Sequence, residues 1–540
     1  MLYANYVRNK MRHLYKTAEA EGVPCILKYS KGKYMKDYEI YGNSVQDGTP
    51  SPENPVEIQS VGDLTKNLLP YPYTYTMTTI KGITFTDNGD GSITIDGTAT
   101  DNAVFYLVSK QDNYTLDKCG LKIGDRYTIS KTLISGNSIA NVYFTANYYN
   151  TSNSMKAGAS IYNTNSATAT IQSDFKSWGI YLLVLKDKTI NNTTIKLQLE
   201  KGSSATEYEP YNKYDIPITV VGKNLIPYPY MYTTKTENGV TWTDNGDGSV
   251  TVSGTATGYS DFIFKIMSIA PNTTFTFSKN QSDDAANIAF ILKQLDENRV
   301  PVGTEINLIP TVMTHTFNTV ENARYIQIAC KRYGNVECKG TYKPILEFGD
   351  TATEYEPYHE PITTHIYLDE PLRKVGDYSD YVDFKKQKVV RNVKEITFEN
   401  TVFNEYTYGT EFDNTYHFNI RDMGCVYTSP MLCNIMKAGN ISMNSTVNDT
   451  FFTSNYSNAA NGGIYLQVEK SLIDDYSGES NAEKLKAFLI NKNAKLLYCT
   501  TGYSEKSISL PTLQTFKDTT IMSADTTVLP SNIKVTYVRT

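Results

Sequence analysis

The chain has 540 residues, a net charge of −6 and 20% charged residues. This length allows three or four domains with cores of their own, and the acidic balance excludes the basic field that holds nucleic acid. Tyrosine, at 43 residues, outnumbers phenylalanine and tryptophan together. The composition is typical of exposed β-structure, because Thr and Tyr suit a half-wet pleated surface.

The first 64 residues predict an attachment region. Residues 2–21 place apolar side chains at helical spacing, and Gly22 and Pro24 end the pattern. The segment predicts a helix that attaches or self-associates, or one that folds back on its own domain. It lacks the continuous apolar core of a signal peptide, and no apolar run approaches ~18 residues, so we expect no membrane insertion. Short strands and a stiff connector, Gln46–Pro55 with three prolines, follow.

A duplication organises the middle of the chain. Asn67–Thr100 aligns without a gap to Asn224–Thr257, with 23 of 34 positions identical, and the sequence ATEYEPY closes each copy at Ala205–Tyr211 and Ala352–Tyr358. The repeats predict two homologous modules, module 1 over residues 65–221 and module 2 over residues 222–364. Tandem copies of one fold favour a binding or structural role over catalysis.

Each module predicts an antiparallel β-sandwich, jelly-roll-like in class. It opens with KNL[LI]PYPY, whose alternating prolines predict an edge strand or a polyproline-like segment. Apolar and polar residues then alternate on both sides of DNGDGS, which predicts a hairpin at Asp87–Ser92 and at Asp244–Ser249. Residues 365–540 predict a C-terminal mixed β/α domain, with a capping box at Ser480 that starts a helix over 481–491. The predicted fold class is mainly β.

Several of these segments resemble tail proteins of phages and prophages of Gram-positive bacteria. The resemblance rests on Val45–Gly62, the KNL openings, the TEYEPY closings, LRKVGDYSDYVDF and the strand-like C-terminal end. Such proteins are tail fibre, baseplate or receptor-binding components, often trimeric, and their repeats are similar to carbohydrate-binding-module β-sandwiches. The resemblance implies a virion protein made in the bacterial cytoplasm, but it brings no fixed ligand-residue motif.

Aromatic rings are the best candidates for a sugar site, because they stack on the apolar faces of pyranose rings. The tyrosines of the PYPY opening recur in both modules, and their spacing of two puts them on one face of an extended segment. The regions that vary between the modules, Ser135–Asn165 and Gln281–Thr304, are further places for ligand contacts, and the first of them contains more tyrosines. The alternative is that the repeated rings pack the module's own scaffold. The candidates are Tyr71, Tyr73, Tyr143, Tyr149, Tyr228, Tyr230 and Trp242.

Catalytic and metal chemistry have little support in the sequence. Five histidines fall in no metal or triad motif. The acid pair Asp380 and Asp383 could serve a glycosidase only at the right separation, and we interpret it as a surface or turn pair. We interpret DNGDGS as a tight turn rather than a calcium loop. The seven cysteines favour thiols over disulfides, although Cys330 with Cys338, eight residues apart, could face each other across a hairpin.

The sequence therefore predicts a rod-like, non-enzymatic tail protein that attaches the virion to host-surface polysaccharide. We expect a homo-oligomer, with a trimer favoured, that meets other tail or baseplate proteins through its N-terminal region and needs no cofactor. One alternative is a purely architectural tail component without a ligand. Others are a bacterial surface adhesin and a tailspike that degrades polysaccharide.

Overall fold

The structure is a computed structural model of the chain. It describes residues 26–27, 33–73, 76–136, 139–258, 260–332, 335–406, 414–441, 450–455, 462–513, 516, 520–524, 526, 529 and 532–539. The predicted helix over residues 2–21 lies outside them. The described part confirms the mainly β fold, with tandem modules built from antiparallel sheets. The chain divides into two compact units, Asp63–Asp215 with Tyr367–Glu370, and Met1–Gly62 with Ile216–Ile366 and Pro371–Thr540.

The unit around Asp63–Asp215 holds module 1, a sandwich of two sheets. The six-stranded sheet runs in the order Ser166–Thr170, Arg126–Ser135, Thr189–Lys201, Ser92–Thr98, Ile83–Asp87 and Met77–Ile80. The four-stranded sheet runs in the order Met155–Ile161, Val142–Asn150, Phe175–Val184 and Ala103–Val108. A 3-10 helix at Lys110–Asp112 and a short helix at Leu116–Cys119 follow the last of these strands in the sequence. The core between the sheets includes Ile95, Phe105, Phe144, Trp178 and Leu182.

The other unit contains module 2, whose four-stranded sheet has the same strand order. Its strands are Pro301–Leu308, Ile288–Leu295, Tyr325–Arg332 and Ser260–Ser268. The opposite layer is split in two, into Thr234–Glu237, Val240–Asp244, Val250–Thr255 and Glu337–Tyr342, and into Thr314–Asn318, Thr274–Ser278 and Ile345–Phe348. The split falls at Pro344, which occupies the place of Leu197 in module 1. Proline has no N–H to donate to a ladder, so the long strand of module 1 becomes two short ones here.

The same unit contains the C-terminal region. Its six-stranded sheet has the order Met431–Cys433, Leu496–Ser507, Lys388–Ile396, Tyr381–Asp383, Lys33–Tyr41 and Asn532–Arg539. A five-stranded sheet has the order Asn404–Glu405, Thr415–Ile420, Ile464–Glu469, Phe451–Thr453 and Lys437–Gly439. The remaining short strands of the described chain, not all of them in this unit, are Ile26–Leu27, Ser44–Val45, Gln59–Ser60, Asp63–Leu64, Tyr214–Val221, Ile362–Leu368, Lys374–Val375, Tyr378–Ser379 and Thr520–Ser523.

Two helices of the C-terminal region pack against strands of the five-stranded sheet. They are Lys470–Ile473 and Asn481–Asn491. The second begins with the predicted capping box, in which Ser480 Oγ accepts from the backbone N of Glu483 at 3.3 Å. Its buried face carries Leu485, Phe488 and Leu489. The six cysteines that the structure describes are all buried thiols, as the sequence favours.

Candidate functional site

The DNGDGS segment of each module forms the predicted hairpin turn. Asp87 pairs with Ile93 at the end of the hairpin ladder, so the turn occupies the residues between them. Asp87 Oδ1 accepts from the backbone N of Gly89 at 3.0 Å, and Asp90 Oδ1 accepts from the backbone N of Ser92 at 2.9 Å. The carboxylates therefore cap the turn's own amides, as in an Asx-turn. Module 2 repeats both bonds, from Gly246 to Asp244 and from Ser249 to Asp247.

In each module, the tyrosines of the PYPY opening form hydrogen bonds with this turn. Tyr71 Oη donates to Asp87 Oδ1 at 3.1 Å, and Tyr73 Oη donates to the carbonyl of Gly91 at 3.2 Å. Tyr208 belongs to the closing motif, and its hydroxyl lies 2.7 Å from the position that a Cβ of Gly91 would take. We call these five residues the turn cluster. Its counterparts in module 2 are Tyr228, Tyr230, Asp244, Gly248 and Tyr355.

The PYPY opening is neither a strand nor a polyproline segment, which corrects the prediction. A cis peptide bond joins Tyr71 to Pro72, and the chain bends there. The rings of Tyr71 and Tyr73 meet edge-on, with centroids 5.0 Å apart and an interplanar angle of 87°. They do not form a flat surface of parallel rings. Tyr228 and Tyr230 repeat this arrangement at 5.3 Å and 82°.

Three of the candidate rings are core residues. Tyr73 is 7% exposed, Tyr230 is 8% exposed and Trp242 is 3% exposed. Trp242 stacks on Phe264 at 5.0 Å, inside module 2. These three rings pack within the module's own scaffold and offer no open face on which a sugar could stack. Tyr71 and Tyr228 are half-buried, and their hydroxyls are bound to the turn.

A different surface of module 1 gathers partly exposed aromatic rings. It is the outward side of the four-stranded sheet. Along Val142–Asn150, side chains alternate, so that Phe144 and Tyr148 are buried while Tyr143, Asn147 and Tyr149 remain partly exposed. We call the group of outward side chains the tyrosine face. It consists of Tyr106, Tyr143, Asn147, Tyr149 and Tyr181.

Strand register brings these rings together. Tyr181 is paired with Tyr106 on the neighbouring strand, and the two ring centroids lie 5.4 Å apart. Asn147 Nδ2 donates to Tyr181 Oη at 3.2 Å, while Asn147 Oδ1 accepts from the backbone N of Gly158 at 3.0 Å. The amide therefore holds Tyr181 in place. Tyr143 lies on the same side and stacks on Tyr162, with centroids 4.1 Å apart.

A glycine makes room for the ring of Tyr149. Tyr149 Cε2 lies 3.0 Å from the position that a Cβ of Gly179 would take, and Met155 Cε lies 3.4 Å from it. Because Gly179 has no side chain, the Tyr149 ring lies directly on the sheet backbone. Lys110 Nζ stands 5.5 Å from the centroid of the same ring. The Tyr149 ring therefore forms a single aromatic layer over the sheet backbone.

Two hydroxyls of this face, those of Tyr149 and Tyr181, are held in the neutral form at neutral pH. Burial, and then the neighbouring Tyr106, raise the pKa of Tyr149 above its ordinary value. Burial, and then the neighbouring Tyr106, also raise the pKa of Tyr181 above its ordinary value. The paired hydroxyls of Thr145 and Ser160, 2.9 Å apart, add polar groups on the same sheet. Rings flanked by neutral hydroxyls and an amide suit a polyhydroxylated ligand.

The structure brings two predicted residues, Tyr143 and Tyr149, into one surface with two that were missed. Tyr106 and Tyr181 lie outward on strands whose sequences, AVFYLV and FKSWGIYLLV, are largely apolar, so no polar alternation marks their outward side. The sequence does not show that these strands are neighbours. That neighbourhood, rather than any local motif, creates the surface.

In the described part of module 2, the matching sheet carries no such cluster of outward tyrosines. Phe290 is the inward counterpart of Phe144, and the outward residues around it are Ala289 and Ile291. Ile291 pairs with Ala329 where module 1 pairs Thr145 with Tyr181. Ala289, Ile291 and Ala329 are each 0% exposed. The duplicated sheets thus share a scaffold and differ in the chemistry of their outer faces.

The acid pair Asp380 and Asp383 is held by structural bonds. Asp380 is fully buried and accepts from the backbone N of Asn392 at 2.8 Å and from Arg391 Nη1 at 3.1 Å. Asp383 accepts from Lys386 Nζ at 3.2 Å. Within the described ranges, no group of three or more His, Cys, Asp or Glu is placed to hold a metal ion. No described helix is both long and apolar enough to span a bilayer.

Comparisons with known proteins add little. No family model and no curated protein matches the chain. Among solved structures, the chain is similar to the N-terminal CBM22-1-CBM22-2 tandem domain of Paenibacillus barcinonensis Xyn10C. The match has 10% identity and a TM-score of 0.17, and it covers 54% of this chain and 98% of the other. A likeness at this level carries no argument about function.

Proposed function

We propose that this protein binds a saccharide polymer through the tyrosine face of module 1. The observation that supports it is the cluster of Tyr106, Tyr149 and Tyr181 on one sheet, partly exposed and flanked by Asn147. Tyr106 is 38% exposed, so its ring offers a free side. A pyranose would lie on these rings, and its hydroxyls would exchange hydrogen bonds with the phenols and the amide.

The proposed setting of this activity is a virion tail. The resemblance of the connector, the repeat openings and closings, and the LRKVGDYSDYVDF segment to tail proteins supports it. In that setting the protein is a fibre or receptor-binding component that attaches the particle to host-surface polysaccharide. A single ring–sugar contact is weak, on the order of 1 kcal/mol. Several copies on one particle, as in a homotrimer, would convert weak contacts into firm attachment.

The protein is proposed to hold its ligand without changing it. The carboxylates of Asp380 and Asp383, raised above as a candidate pair, are occupied by backbone amides and cations. A glycosidase needs one carboxyl free to donate a proton and another free to attack or to activate water. Neither residue is free for these roles.

An architectural role without a ligand is the second candidate. The burial of Ile291 and Ala329 favours it, because it shows that an outer sheet face of this sandwich can serve packing alone. If the tyrosine face were likewise covered in an assembled particle, its rings would be interface residues.

Binding by single variants of the whole chain separates the two candidates. We expect Tyr149→Ala and Tyr106→Ala each to weaken retention by purified host wall polysaccharide, in affinity gel electrophoresis, by about tenfold. Tyr71→Phe is the matched control, since it alters a tyrosine outside the face and leaves the ring in place. Host-cell binding should follow the same order. Unchanged retention in both alanine variants would favour the architectural role.

A further inference from the structure

A second candidate site lies in the C-terminal region, in an open cleft of ≈ 480 Å³. A short hairpin, Lys374–Val375 with Tyr378–Ser379, forms one side of it. We call it the hairpin cleft. Its lining residues are Tyr41, Gly42, Lys374, Asp377, Tyr378, Ser379, Tyr381 and Asn392.

Aromatic rings supply the apolar surface of the cleft. Tyr41 and Tyr381 lie on adjacent paired strands and stack with centroids 5.1 Å apart at an interplanar angle of 27°. Tyr378, at the hairpin, is 38% exposed. Three tyrosines, two from the six-stranded sheet and one from the hairpin, therefore line this cleft.

The hairpin is held rigidly against the sheet. Ser379 Oγ donates to the carbonyl of Gly42 at 2.9 Å, and Asn392 Nδ2 donates to the carbonyl of Ser379 at 2.8 Å. The backbone N of Gly42 donates to the carbonyl of Asp380 at 2.7 Å. Because these bonds fix the backbone on both sides, the cleft is formed before any ligand arrives, which lowers the entropic cost of binding.

Two opposite charges line the cleft and do not neutralise each other by contact. Lys374 is half-buried and Asp377 is exposed. In the part of the chain that the structure describes, neither side chain has an ion-pair partner. The carboxylate is thus available to accept from hydroxyls and the ammonium is available to donate to them.

We propose that the hairpin cleft binds an uncharged saccharide of one or two sugar residues. The rings offer a stacking surface, the carboxylate and the ammonium bind hydroxyls, and their charges cancel, so no charged ligand is favoured. The volume falls within the ~300–1,000 Å³ typical of small-molecule sites. This site shares no residue with the tyrosine face, so a negative result for the function proposed above would not count against it.

Saturation-transfer NMR on the whole chain tests the site. The probes are the methyl glycosides of glucose, galactose and N-acetylglucosamine, and the experiments use the Tyr149→Ala background, which weakens binding by the tyrosine face. We expect transfer to at least one glycoside, and we expect Tyr378→Ala and Asp377→Asn each to reduce it by at least about threefold. Tyr503→Ala, at a tyrosine that is 63% exposed, is the control and should leave transfer unchanged.

Two results would overturn the proposal. One is the absence of transfer to every glycoside in the Tyr149→Ala background. The other is equal transfer in Tyr378→Ala, Asp377→Asn and the Tyr503→Ala control. Neither result bears on polysaccharide retention by the tyrosine face, which is measured separately with Tyr149 restored.

Discussion

The asparagine of the KNL motif explains why this opening recurs in both modules. Asn67 is 4% exposed, and its Nδ2 donates to the carbonyls of Leu197 at 3.2 Å and Glu209 at 3.1 Å. Its Oδ1 accepts from the backbone N of Leu69 at 3.0 Å and of Leu199 at 3.2 Å. One amide thus joins the start of the module to its last strand and its closing motif.

Removing this amide should destabilise module 1. Asn67→Ala would leave four backbone groups without their partner, three of them in buried hydrogen bonds, so we expect the free energy of unfolding to fall by about 2–4 kcal/mol. Urea unfolding monitored by tyrosine and tryptophan fluorescence measures the change. Asn191→Ala, at an exposed position of the strand Thr189–Lys201, is the matched control, with an expected change within about 0.5 kcal/mol. Identical curves for the two variants would contradict the role given to Asn67.

Each module also buries one lysine at an equivalent position. Lys131, 2% exposed, donates from Nζ to the carbonyls of Val142 at 2.6 Å and Tyr162 at 2.7 Å. Lys279, 0% exposed, donates to the carbonyl of Pro310 at 2.7 Å. Burial lowers the pKa of Lys131, and that of Lys279, to about 8. The carbonyls bind the protonated form, which at neutral pH is the main one.

The lowered pKa makes stability depend on pH in a defined direction. Between about pH 8 and 10.5 the unfolded chain binds more protons at Lys131 than the folded chain, so this group's contribution to stability rises with pH. The full difference corresponds to about 3 kcal/mol. We expect the stability of the wild type relative to Lys131→Met to increase from pH 7.5 to pH 10. Comparing each protein with the other at every pH cancels the opposing titration of the buried thiols.

Thermal unfolding at closely spaced pH values measures this difference. Lys118→Met, at an exposed lysine of the same module, is the control and should track the wild type at every pH. A wild-type advantage over Lys131→Met that stays constant, or that shrinks, across this pH range would contradict a lowered pKa at Lys131.

At the scale of single elements, the hairpin turn shows how repeated motifs constrain each other. Gly89 and Gly91 have similar positive φ angles, 85° and 82°. A Cβ at Gly89 would have no heavy atom within 4 Å, whereas one at Gly91 would lie 2.7 Å from the Tyr208 hydroxyl. A glycine is therefore required at position 91 for two reasons. The backbone there has a positive φ angle, and a side chain would collide with Tyr208 of the closing motif.

This difference gives a paired prediction. Gly89→Ala should cost about 1 kcal/mol of unfolding free energy, from the positive φ alone. Gly91→Ala should cost more, because the added methyl group displaces Tyr208. Combining Gly91→Ala with Tyr208→Ala should remove the excess, and the double-mutant cycle in urea unfolding measures the coupling. Equal costs at the two glycines would show that Tyr208 does not press on the turn.

The same elements show what the sequence could predict. Alternation around DNGDGS predicts the hairpin correctly, because the period-two pattern and the positive-φ residues act locally. The prediction of an extended segment fails at the PYPY opening, because the backbone bends at Tyr71 and Pro72. The tyrosine face could be predicted only in part. Tyr149 lies in the variable region Ser135–Asn165 that the sequence singles out, but its partners Tyr106 and Tyr181 depend on which strands become neighbours, and local patterns do not encode that.

At the scale of the whole molecule, duplication has produced one scaffold with two outer surfaces. The inward residues are conserved in kind, as Phe144 and Phe290 show, because the two sheets must still pack on each other. The outward residues are under no such constraint. Module 1 places tyrosines there, and module 2 places Ala289, Ile291 and Ala329.

Truncating one outward residue in each module should therefore have opposite consequences. Ile291→Ala removes a fully buried side chain, so we expect a loss of about 2–4 kcal/mol in stability and little change in polysaccharide retention. Tyr106→Ala removes a side chain that is 38% exposed, so its stability cost should stay below about 1 kcal/mol while retention falls. Differential scanning calorimetry and affinity electrophoresis on the same samples measure both quantities. If the two variants lost stability and retention in equal proportion, the outer faces would share one role, and the division between a binding module and a packing module would be wrong.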